Sequence, residues 1–308
     1  MTNDQLPWIS RDEVFARVSI DTAIRTVQDQ LKAGLTSAND LKRSIYNVDN
    51  GQLLVMPSQS PNFVGIKIVS VAPDNPALGR ERIQGVYVLM DAATLNPIAL
   101  IDGTALTELR TPAVSAAAAD YLAPRTVDHL IVFGSGPQAW GHIEAMRVIR
   151  DISRVTIVAR DQRRAAQFVD RVQAEGLRAE VGTRDDVRDA QMIVCTTTSR
   201  TPLFNGSLVP MDSVTVAIGS HEADVRELDS ALIVRAQIIV EDAGVALREA
   251  GDLIIPITEE LIDPTSLIAV QEIVTGATRV DQDRPRVFKS TGMSWEDLVI
   301  ATELFRLG

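Results

Sequence analysis

Three cations in the first half of the chain stand in settings that suit a negatively charged ligand. Lys67 interrupts the apolar stretch Val64–Val69, and a buried ammonium is costly unless it is paired, so this lysine lies either on a solvated face or in a site. Arg110 is expected at the start of an alanine-rich helix, where an arginine opposes the helix dipole and a nearby anion would explain it. Arg43 is unremarkable when it is considered alone.

An apolar run at residues 130–133 ends in a glycine turn and leads directly into a helical pattern, as a dinucleotide-binding strand–turn–helix requires. Gly134 permits a tight turn, Gly136 lets the backbone approach a pyrophosphate, and Ala139 lets the helix pack closely on the strand. The helix N-terminus offers N–H groups and a positive dipole end to the phosphates. FAD enzymes share this motif. The predicted cofactor-binding residues of the turn are Gly134, Ser135, Gly136, Pro137, Gln138 and Ala139.

The segment after the second strand of this fold bears on the choice of coenzyme. An acidic residue about 20 residues beyond the glycines normally binds the ribose 2′-hydroxyl, whereas an arginine there accommodates a 2′-phosphate. Arg160 stands at this position, with Arg163 and Arg164 close behind it. Cations facing a phosphate dianion form charge-assisted contacts, so we expect NADPH, held by Arg160 and Arg163, with NADH as the alternative. In the other interpretation these arginines merely flank an exposed helix start, with Asp161 as its N-cap.

Composition limits the class of protein. The chain has 308 residues, enough for two domains, and its net charge of −11 argues against nucleic acid and an anionic membrane surface as partners. No apolar run approaches about 20 residues, and Met1–Ser10 lacks a secretory pattern, so we expect no membrane span and a cytoplasmic location. The single cysteine, Cys195, lies in an apolar run and is interpreted as buried rather than nucleophilic. We expect no metal site.

The pattern of elements predicts an α/β fold in two domains. Between residues 43 and 102, β-rich runs follow one another without helices, which favours an antiparallel or mixed sheet, and Leu106–Leu122 is predicted to be a helix. From His129 onward strands and helices alternate, which is typical of a doubly wound parallel sheet. We predict a Rossmann domain at residues 121–284, and an α+β domain at residues 1–120 that the last helix rejoins with residues 285–308.

From residue 40 onward the chain resembles the ornithine cyclodeaminase/mu-crystallin family, through segments in the family's order and spacing. The matching segments are Met56-Pro57, residues 65–70, 89–92 and 107–115, the glycine turn, and residues 218–221, 226–229, 249–253 and 289–292. Such a series is highly specific for the family and much less specific for the reaction. The resemblance implies a homodimer in which the α+β domain is a substrate/dimerisation domain.

The resemblance also implies roles for single residues. Arg43, Lys67 and Arg110 match the family's cations for the substrate carboxylate and its neighbouring nitrogen-bearing carbon, and a guanidinium fork suits a carboxylate. A lysine at hand is also able to tune charge at the reacting centre, so Lys67 is a predicted catalytic residue. Residues 289–292 are expected near the nicotinamide. The further predicted cofactor-binding residues are Thr111, Thr196, Thr197 and Lys289.

Two departures from the family pattern bear on the reaction. Ornithine cyclodeaminases carry a glutamate where this chain has Leu54, and an aspartate where it has His221. A cyclisation that releases an amino group needs bases for the substrate amines, so the loss of both carboxylates disfavours it. Cyclodeaminases recycle a bound NAD, whereas the arginines favour NADP, which is typical of net reductions. The departures therefore favour the imine-reducing branch of the family.

We predict that hydride is transferred from NADPH to C2 of Δ1-pyrroline-2-carboxylate or Δ1-piperideine-2-carboxylate, which gives L-proline or L-pipecolate. The substrate carboxylate would be held by Arg43, Lys67 and Arg110. His221, or a water that it orients, is predicted to manage the proton of the imine nitrogen, and a histidine without a proton role fits equally well. The alternatives are an ornithine cyclodeaminase, an alanine or N-alkyl amino acid dehydrogenase, and a non-enzymatic mu-crystallin-like binding protein, which the intact cations disfavour.

Overall fold

A computed structural model describes residues 6–37 and 40–308 of the chain. The chain forms two compact units: residues 1–114 with 293–308, and residues 115–292. The first boundary falls inside the helix Gly103–Leu122, and the second falls after the strand Arg286–Lys289. The boundaries expected from the sequence were 120/121 and 284/285, so the strand at 286–289 belongs to the second unit and not, as we expected, to the first.

The first unit contains one six-stranded sheet with the spatial order β1-β6-β5-β4-β3-β2. Strands β2 to β6 are antiparallel to their neighbours, whereas β1 runs parallel to β6. The antiparallel sheet expected from the β-rich runs is therefore present, with two further short strands at its edges. The strands are β1 (Trp8–Ile9), β2 (Ser44–Val48), β3 (Gly51–Gln59), β4 (Phe63–Val71), β5 (Ile83–Asp91) and β6 (Pro97–Asp102).

One face of this sheet is buried and carries Lys67, a residue of the predicted site. Met56, Lys67, Tyr87 and Ile101 stand opposite one another on four adjacent strands, so they share that face. The last helix of the chain packs against β3, β4 and β5, and also against the second helix. The four helices of this unit are α1 (Arg11–Arg17), α2 (Ile20–Lys32), the N-terminal part of α3 (Gly103–Leu122), and α10 (Ser294–Arg306).

The opposite face of the same sheet, which we call the outer face, is apolar but not covered within the unit. Leu53 and Ile68 are 38% and 42% exposed, and residues next to them on that face are only partly buried. Antiparallel sheets that leave one face to water normally alternate apolar and polar residues. An apolar outer face is a feature of interaction surfaces. The apolar residues of the outer face are Leu53, Val55, Pro57, Val64, Ile66, Ile68, Val86, Val88, Met90, Ile98 and Leu100.

The second unit contains an eight-stranded sheet in which every pairing is parallel. Its spatial order is β13-β12-β14-β11-β10-β7-β8-β9. The strands from β9 to β11 follow the 3-2-1-4-5 order of a dinucleotide-binding fold, and β14 lies between β11 and β12. The prediction of a doubly wound parallel sheet is confirmed. The strands are β7 (Val127–Phe133), β8 (Ile152–Val158), β9 (Ala179–Val181), β10 (Met192–Cys195), β11 (Val214–Ala217), β12 (Gln237–Val240), β13 (Ile268–Ala269) and β14 (Arg286–Lys289).

The helices of the second unit were predicted only in its first half. Two long helices match the sequence pattern, whereas four short ones between residues 230 and 275 and the strand β14 were not expected. Cys195 ends β10 and is fully buried, and burial raises the pKa of its thiol, as expected for a residue that is not a nucleophile. The helices are α4 (Pro137–Ile149), α5 (Gln162–Ala174), α6 (Ser230–Arg235), α7 (Ala243–Glu249), α8 (Gly251–Thr258) and α9 (Val270–Thr275).

Candidate active site

Lys67 lies on the buried face of the first unit's sheet and is only 2% exposed. Its ammonium is 2.7 and 2.9 Å from the two carboxylate oxygens of Asp297, and it donates to the hydroxyl of Thr107 at 3.3 Å. The lysine that interrupts an apolar strand is therefore in a buried polar cluster and not on a solvated face. A buried ammonium is tolerated here because a carboxylate compensates its charge.

Arg110 reaches the same cluster from the middle of α3, which begins at Gly103 and not near residue 110. The dipole argument that singled out this arginine was therefore wrong, although the anion that it called for is present. The guanidinium donates to Glu296, and its Nε lies 3.3 Å from an oxygen of Asp297. Thr111, the next residue, is 9% exposed on the same helix.

Glu296 and Asp297 are the two functional residues of this cluster that the sequence did not reveal. Both are fully buried, and both lie in the first turn of α10. Acidic residues in a first turn are common because they interact favourably with the helix dipole, so the sequence signal has an ordinary structural explanation. The signal that was available was their position directly before the apolar run 298–301, where an unpaired carboxylate would be costly.

The electrostatics of the cluster are dominated by burial. Burial, together with the neighbouring charge of Arg110, lowers the pKa of Lys67 to about 8 against the opposing effect of Asp297. Burial raises the pKa of Asp40 to about 6, although the Ser58 hydroxyl and the backbone N–H groups at the start of α10 act in the other direction. Both groups thus titrate closer to neutral pH than they would in water.

Two residues singled out by the sequence lie in or next to the strands β2 and β3. Arg43 directly precedes β2, whose first residue, Ser44, pairs with Val55. Arg43 is half-buried. Leu54 lies two residues before Met56 and therefore on the same face of the sheet as Lys67, because side chains alternate along a strand.

The glycine turn of the second unit joins β7 to α4 in the expected way. Gly134 has φ +124°, and a Cβ there would lie 2.5 Å from the hydroxyl oxygen of Thr196, so only glycine fits. Thr196 in turn donates to the carbonyl of Phe133 at 3.0 Å. Ala139 is fully buried between helix and sheet. Gly136, Pro137 and the first turn of α4 therefore stand at the carboxyl end of the first strand, next to β10.

The residues of this turn fit a dinucleotide. A Cβ on Gly136 would meet nothing within 4 Å, so the backbone is open to an approaching group, and Ser135 beside it is half-buried. Within the described chain, the side-chain oxygen of Gln138 is buried and has no hydrogen-bond partner. A buried polar atom of this kind is normally satisfied, so it points to a missing ligand. The N-terminal N–H groups of α4 are suited to phosphates.

The arginines after β8 are exposed. Asp161 is the N-cap of α5, since its carboxylate accepts from the N–H groups of Arg163 and Arg164 at 3.0 and 3.2 Å. Arg160 and Arg163 are exposed beside it. The carboxylate of Asp161 thus caps the helix. Arg160 stands at the position that contacts the ribose 2′ substituent in dinucleotide-binding folds.

A buried carboxylate, Glu227, fixes the loops that follow β10 and β11. It accepts from the N–H and the hydroxyl of Thr197 at 2.8 and 2.7 Å, and from the N–H of Gly219 at 2.8 Å. Lys289 lies in the same region, but it is 1% exposed and its ammonium contacts Asp252 at 3.2 Å and the carbonyl of Ser220 at 2.9 Å. Lys289 is therefore buried and ion-paired within this unit, and its role in cofactor binding stays a prediction.

His221 follows β11 and is exposed. Its neighbours Glu222 and Asp224 lie 3.3 and 3.1 Å from Arg200, which is on the loop after β10. Exposed ion pairs of this kind contribute little stability, but they connect the two loops. His221 thus lies in a solvated loop at the carboxyl ends of the parallel strands, where doubly wound folds bind their ligands.

A family model matches residues 10–306 of the chain, and its description is the ornithine cyclodeaminase/mu-crystallin family. The protein belongs to the ornithine cyclodeaminase/mu-crystallin family. The resemblance inferred from the separate segments is therefore confirmed over almost the full length.

Members of the family with a named activity include reductases. A Δ1-pyrroline-2-carboxylate reductase of Bacillus cereus is 32% identical over 98% of this chain and 94% of its own length. The Thermococcus litoralis Δ1-pyrroline-2-carboxylate reductase, solved with NADH and L-proline, is 27% identical with a TM-score of 0.91, over 98% of this chain and 97% of that one. An archaeal alanine dehydrogenase dimer with bound NAD is 26% identical, also with a TM-score of 0.91, over 98% and 95% of the two chains.

In residues 6–37 and 40–308, no helix combines the length and apolarity that a membrane crossing needs. The same part of the chain contains no group of three or more His, Cys, Asp or Glu side chains arranged to hold a metal ion.

Proposed function

We propose that this protein reduces a cyclic imino acid, Δ1-pyrroline-2-carboxylate or Δ1-piperideine-2-carboxylate, to L-proline or L-pipecolate with NADPH. The protein is an oxidoreductase that acts on C=N bonds. The observation that carries the proposal is the pair of buried cations, Lys67 and Arg110, which two carboxylates hold on one face of the first unit's sheet. An ammonium and a guanidinium at one place suit the carboxylate of an α-imino acid.

Leu54 favours reduction over cyclodeamination. It places an apolar side chain on the same face as Lys67, where a cyclodeaminase has a glutamate. Reduction of a preformed imine needs no base at that position, whereas removal of protons from the substrate amines does. The similarity to a reductase solved with NADH and L-proline supports the same choice.

The coenzyme would be held by the glycine turn of the second unit, through Gly134, Gly136 and the start of α4. When bound, a reduced nicotinamide supplies hydride to the carbon of the C=N bond. Arg160 and Arg163 are exposed at the position that reads the 2′ substituent of the adenosine ribose, so we propose NADPH over NADH. A reduction that consumes NADPH is expected in the cytoplasm.

The chain's own residues have two tasks in this reaction. Lys67, Arg110 and Arg43 bind and orient the carboxylate, which places the neighbouring C=N bond. The imine nitrogen must be protonated to accept hydride well, and we assign that proton to His221 or to a water that it orients. Burial keeps the pKa of Lys67 near 8, so the ammonium is charged at neutral pH.

We also propose that the protein is a homodimer that buries the outer face of the first unit's sheet. That face is apolar from β3 to β6, and Ile68 at its centre is 42% exposed in the single chain. The archaeal alanine dehydrogenase that it resembles is a dimer. Burial of such a face between two copies would remove a large apolar patch from water.

The test is a turnover assay with purified protein, NADPH and each of the two cyclic ketimines. We expect loss of the nicotinamide absorbance with both substrates, and a Lys67→Met variant should lose turnover while it still binds NADPH. Absence of turnover with every cyclic ketimine would contradict the proposal. Ammonia released from ornithine without consumption of coenzyme would establish a cyclodeaminase instead, and NAD(P)+ reduction with L-alanine would establish the dehydrogenase that the archaeal relative suggests.

A further inference from the structure

The hydroxyl of Tyr87 is buried in the first unit without a hydrogen-bond partner. Tyr87 lies on β5 directly opposite Lys67 on β4, and it is 0% exposed. Among residues 6–37 and 40–308, no group lies within hydrogen-bonding geometry of its Oη. A buried hydroxyl left unpaired destabilises a protein, because it gives up its hydrogen bonds to water and gains none in return.

The backbone makes room for this hydroxyl. A Cβ on Gly65 would lie 1.8 Å from the Oη of Tyr87, so no other residue type fits at position 65 without moving the ring. A glycine inside a strand also costs stability, because it packs no side chain and loses much backbone freedom on folding. The first unit therefore combines two unfavourable features, an interior glycine and an unpaired hydroxyl, at one point beside Lys67. Phenylalanine at position 87 has no hydroxyl, so it would remove the second of these unfavourable features.

Two carboxylates act on this hydroxyl, which also has Lys67 opposite it on the next strand. Burial raises the pKa of Tyr87 well above its usual range, and the carboxylates of Asp297 and Asp40 add to that effect. The phenol therefore stays protonated and neutral at every pH of interest. Its surroundings favour a ligand group that carries positive charge, in contrast to the positions of Lys67 and Arg110, which suit a carboxylate.

We infer that Tyr87 is a substrate-binding residue whose Oη accepts a hydrogen bond from the ring nitrogen of the imino acid and of its amine product. The inference rests on the proposed function. A protonated α-imino acid has a carboxylate and a cationic N–H group on adjacent atoms, and so does the product amino acid. The cations Lys67 and Arg110 match the first group, and Tyr87, next to Asp297, matches the second. Tyr87 would thereby favour ligands that have an N–H group in the ring over ligands that do not.

The test compares the wild type with Tyr87→Phe in the binding of L-proline and of tetrahydrofuran-2-carboxylate, which has oxygen in place of the N–H group. The wild type should bind L-proline much more tightly than tetrahydrofuran-2-carboxylate. The variant should bind L-proline about tenfold more weakly than the wild type does, so the ratio of its two dissociation constants should be smaller. The dissociation constant of NADPH should not change. The melting temperature of the ligand-free protein should stay the same or rise in the variant, because no protein hydrogen bond is lost. Tyr121→Phe, at a half-buried tyrosine of the second unit, is the control and should change none of these quantities.

Three results would overturn the inference. A lower ligand-free melting temperature in Tyr87→Phe would show that the hydroxyl has a structural partner. Equal binding of both ligands by the wild type would show that the hydroxyl donates to the ring atom, and an unchanged preference in the variant would show that it does not contact that atom. Failure of the wild type to reduce any ketimine would contradict the proposed function alone, since the binding of L-proline is measured without turnover.

Discussion

The carboxylate of Asp297 lies 2.7 Å from the ammonium of Lys67, although the two residues are 230 positions apart in the chain. Asp297 also approaches Arg110, so one buried carboxylate holds both cations that are proposed to bind the substrate. Their geometry is therefore set before any ligand arrives, and a substrate carboxylate would meet cations whose rotamers are already restricted. Such preorganisation lowers the entropy that binding costs.

Replacement of Asp297 by asparagine should destabilise the protein by about 3 kcal/mol, because it leaves two buried cations without their shared counter-charge. Urea unfolding followed by circular dichroism measures this difference. Glu303→Gln is a matched control on the same helix, since Glu303 is 4.0 Å from an exposed Arg306. It should change stability by less than about 0.5 kcal/mol. If the two variants lose the same free energy of unfolding, the buried contact of Asp297 contributes no more to stability than the exposed contact of Glu303.

Binding of a carboxylate should weaken above about pH 8. Burial lowers the pKa of Lys67 to about 8, so the ammonium loses its charge at higher pH and with it the attraction for an anion. The dissociation constant of cyclopentanecarboxylate, which does not titrate in this range, should rise about tenfold per pH unit once Lys67 is neutral. In Lys67→Arg the charge persists, so the profile should be flat between pH 7 and pH 10. If the dissociation constant begins to rise at the same pH in both proteins, a group other than Lys67 titrates.

Asp40 should make the protein less stable as the pH rises from about 4 to about 6. Burial raises its pKa in the folded state from 3.8 to about 6, so the folded protein holds a proton that the unfolded chain has already released. The stabilisation from that proton is complete below the unfolded pKa and is lost as the pH passes the folded pKa. Asp40→Asn should therefore have a higher melting temperature than the wild type at pH 7, and the difference between the two melting temperatures should disappear near pH 4. A difference that does not change with pH would contradict this assignment.

Arg160→Ala should reduce kcat/KM for NADPH by about tenfold to a hundredfold and leave that for NADH nearly unchanged, because only NADPH carries the 2′-phosphate. Steady-state rates with each coenzyme at a fixed ketimine concentration provide the measurement. Arg164→Ala is the control, since the Arg164 side chain is 78% exposed and lies near Asp161. If the variant loses activity equally with both coenzymes, Arg160 does not contact the 2′ substituent.

A charged residue at the centre of the outer face should prevent dimerisation. Ile68→Glu would place a carboxylate in the proposed interface, and burying an unpaired charge is strongly unfavourable. Sedimentation velocity should show a dimer for the wild type and a monomer for the variant. Leu78→Glu alters an apolar side chain that is 72% exposed and lies outside the sheet strands, and it should remain dimeric. A dimeric Ile68→Glu variant would mean that another surface joins the subunits.

Periodicity and composition were sufficient to predict the strands that carry the site. Lys67 was recognisable because it interrupts an apolar strand, and the glycine turn because Gly134 and Gly136 directly follow one. The β-rich runs were enough for the order of the four central strands of the first unit. The alternation after His129 predicted β7, α4, β8, α5, β10, β11 and β12 in order, whereas β9, β13, β14 and the helices α6 to α9 were not predicted. In each case the signal is local, lying within about ten residues of the feature that it predicts.

What the sequence could not provide depends on contacts between distant residues. Asp297 is the partner of Lys67 only after α10 has packed on the sheet, and the residues around position 297 do not show which cation it pairs with. The contact of Lys289 with Asp252 is likewise visible only in three dimensions. The strand β14 begins and ends with a charged residue, so it lacks the apolar run that marks a buried strand, and it forms because β11 and β12 flank it on both sides.

The first unit is assembled from the two ends of the chain, because residues 293–308 complete what residues 1–114 begin. During synthesis the strands of this unit leave the ribosome long before α10 does, and until then Lys67 and Arg110 have no counter-charge to be buried against. The second unit is continuous and can fold first. Loss of the last sixteen residues, by a premature stop codon or by a protease, would thus do more than remove a helix. The two cations of the first unit would then lack a counter-charge in the core. Chaperones and proteases of the cell would encounter an incompletely folded protein.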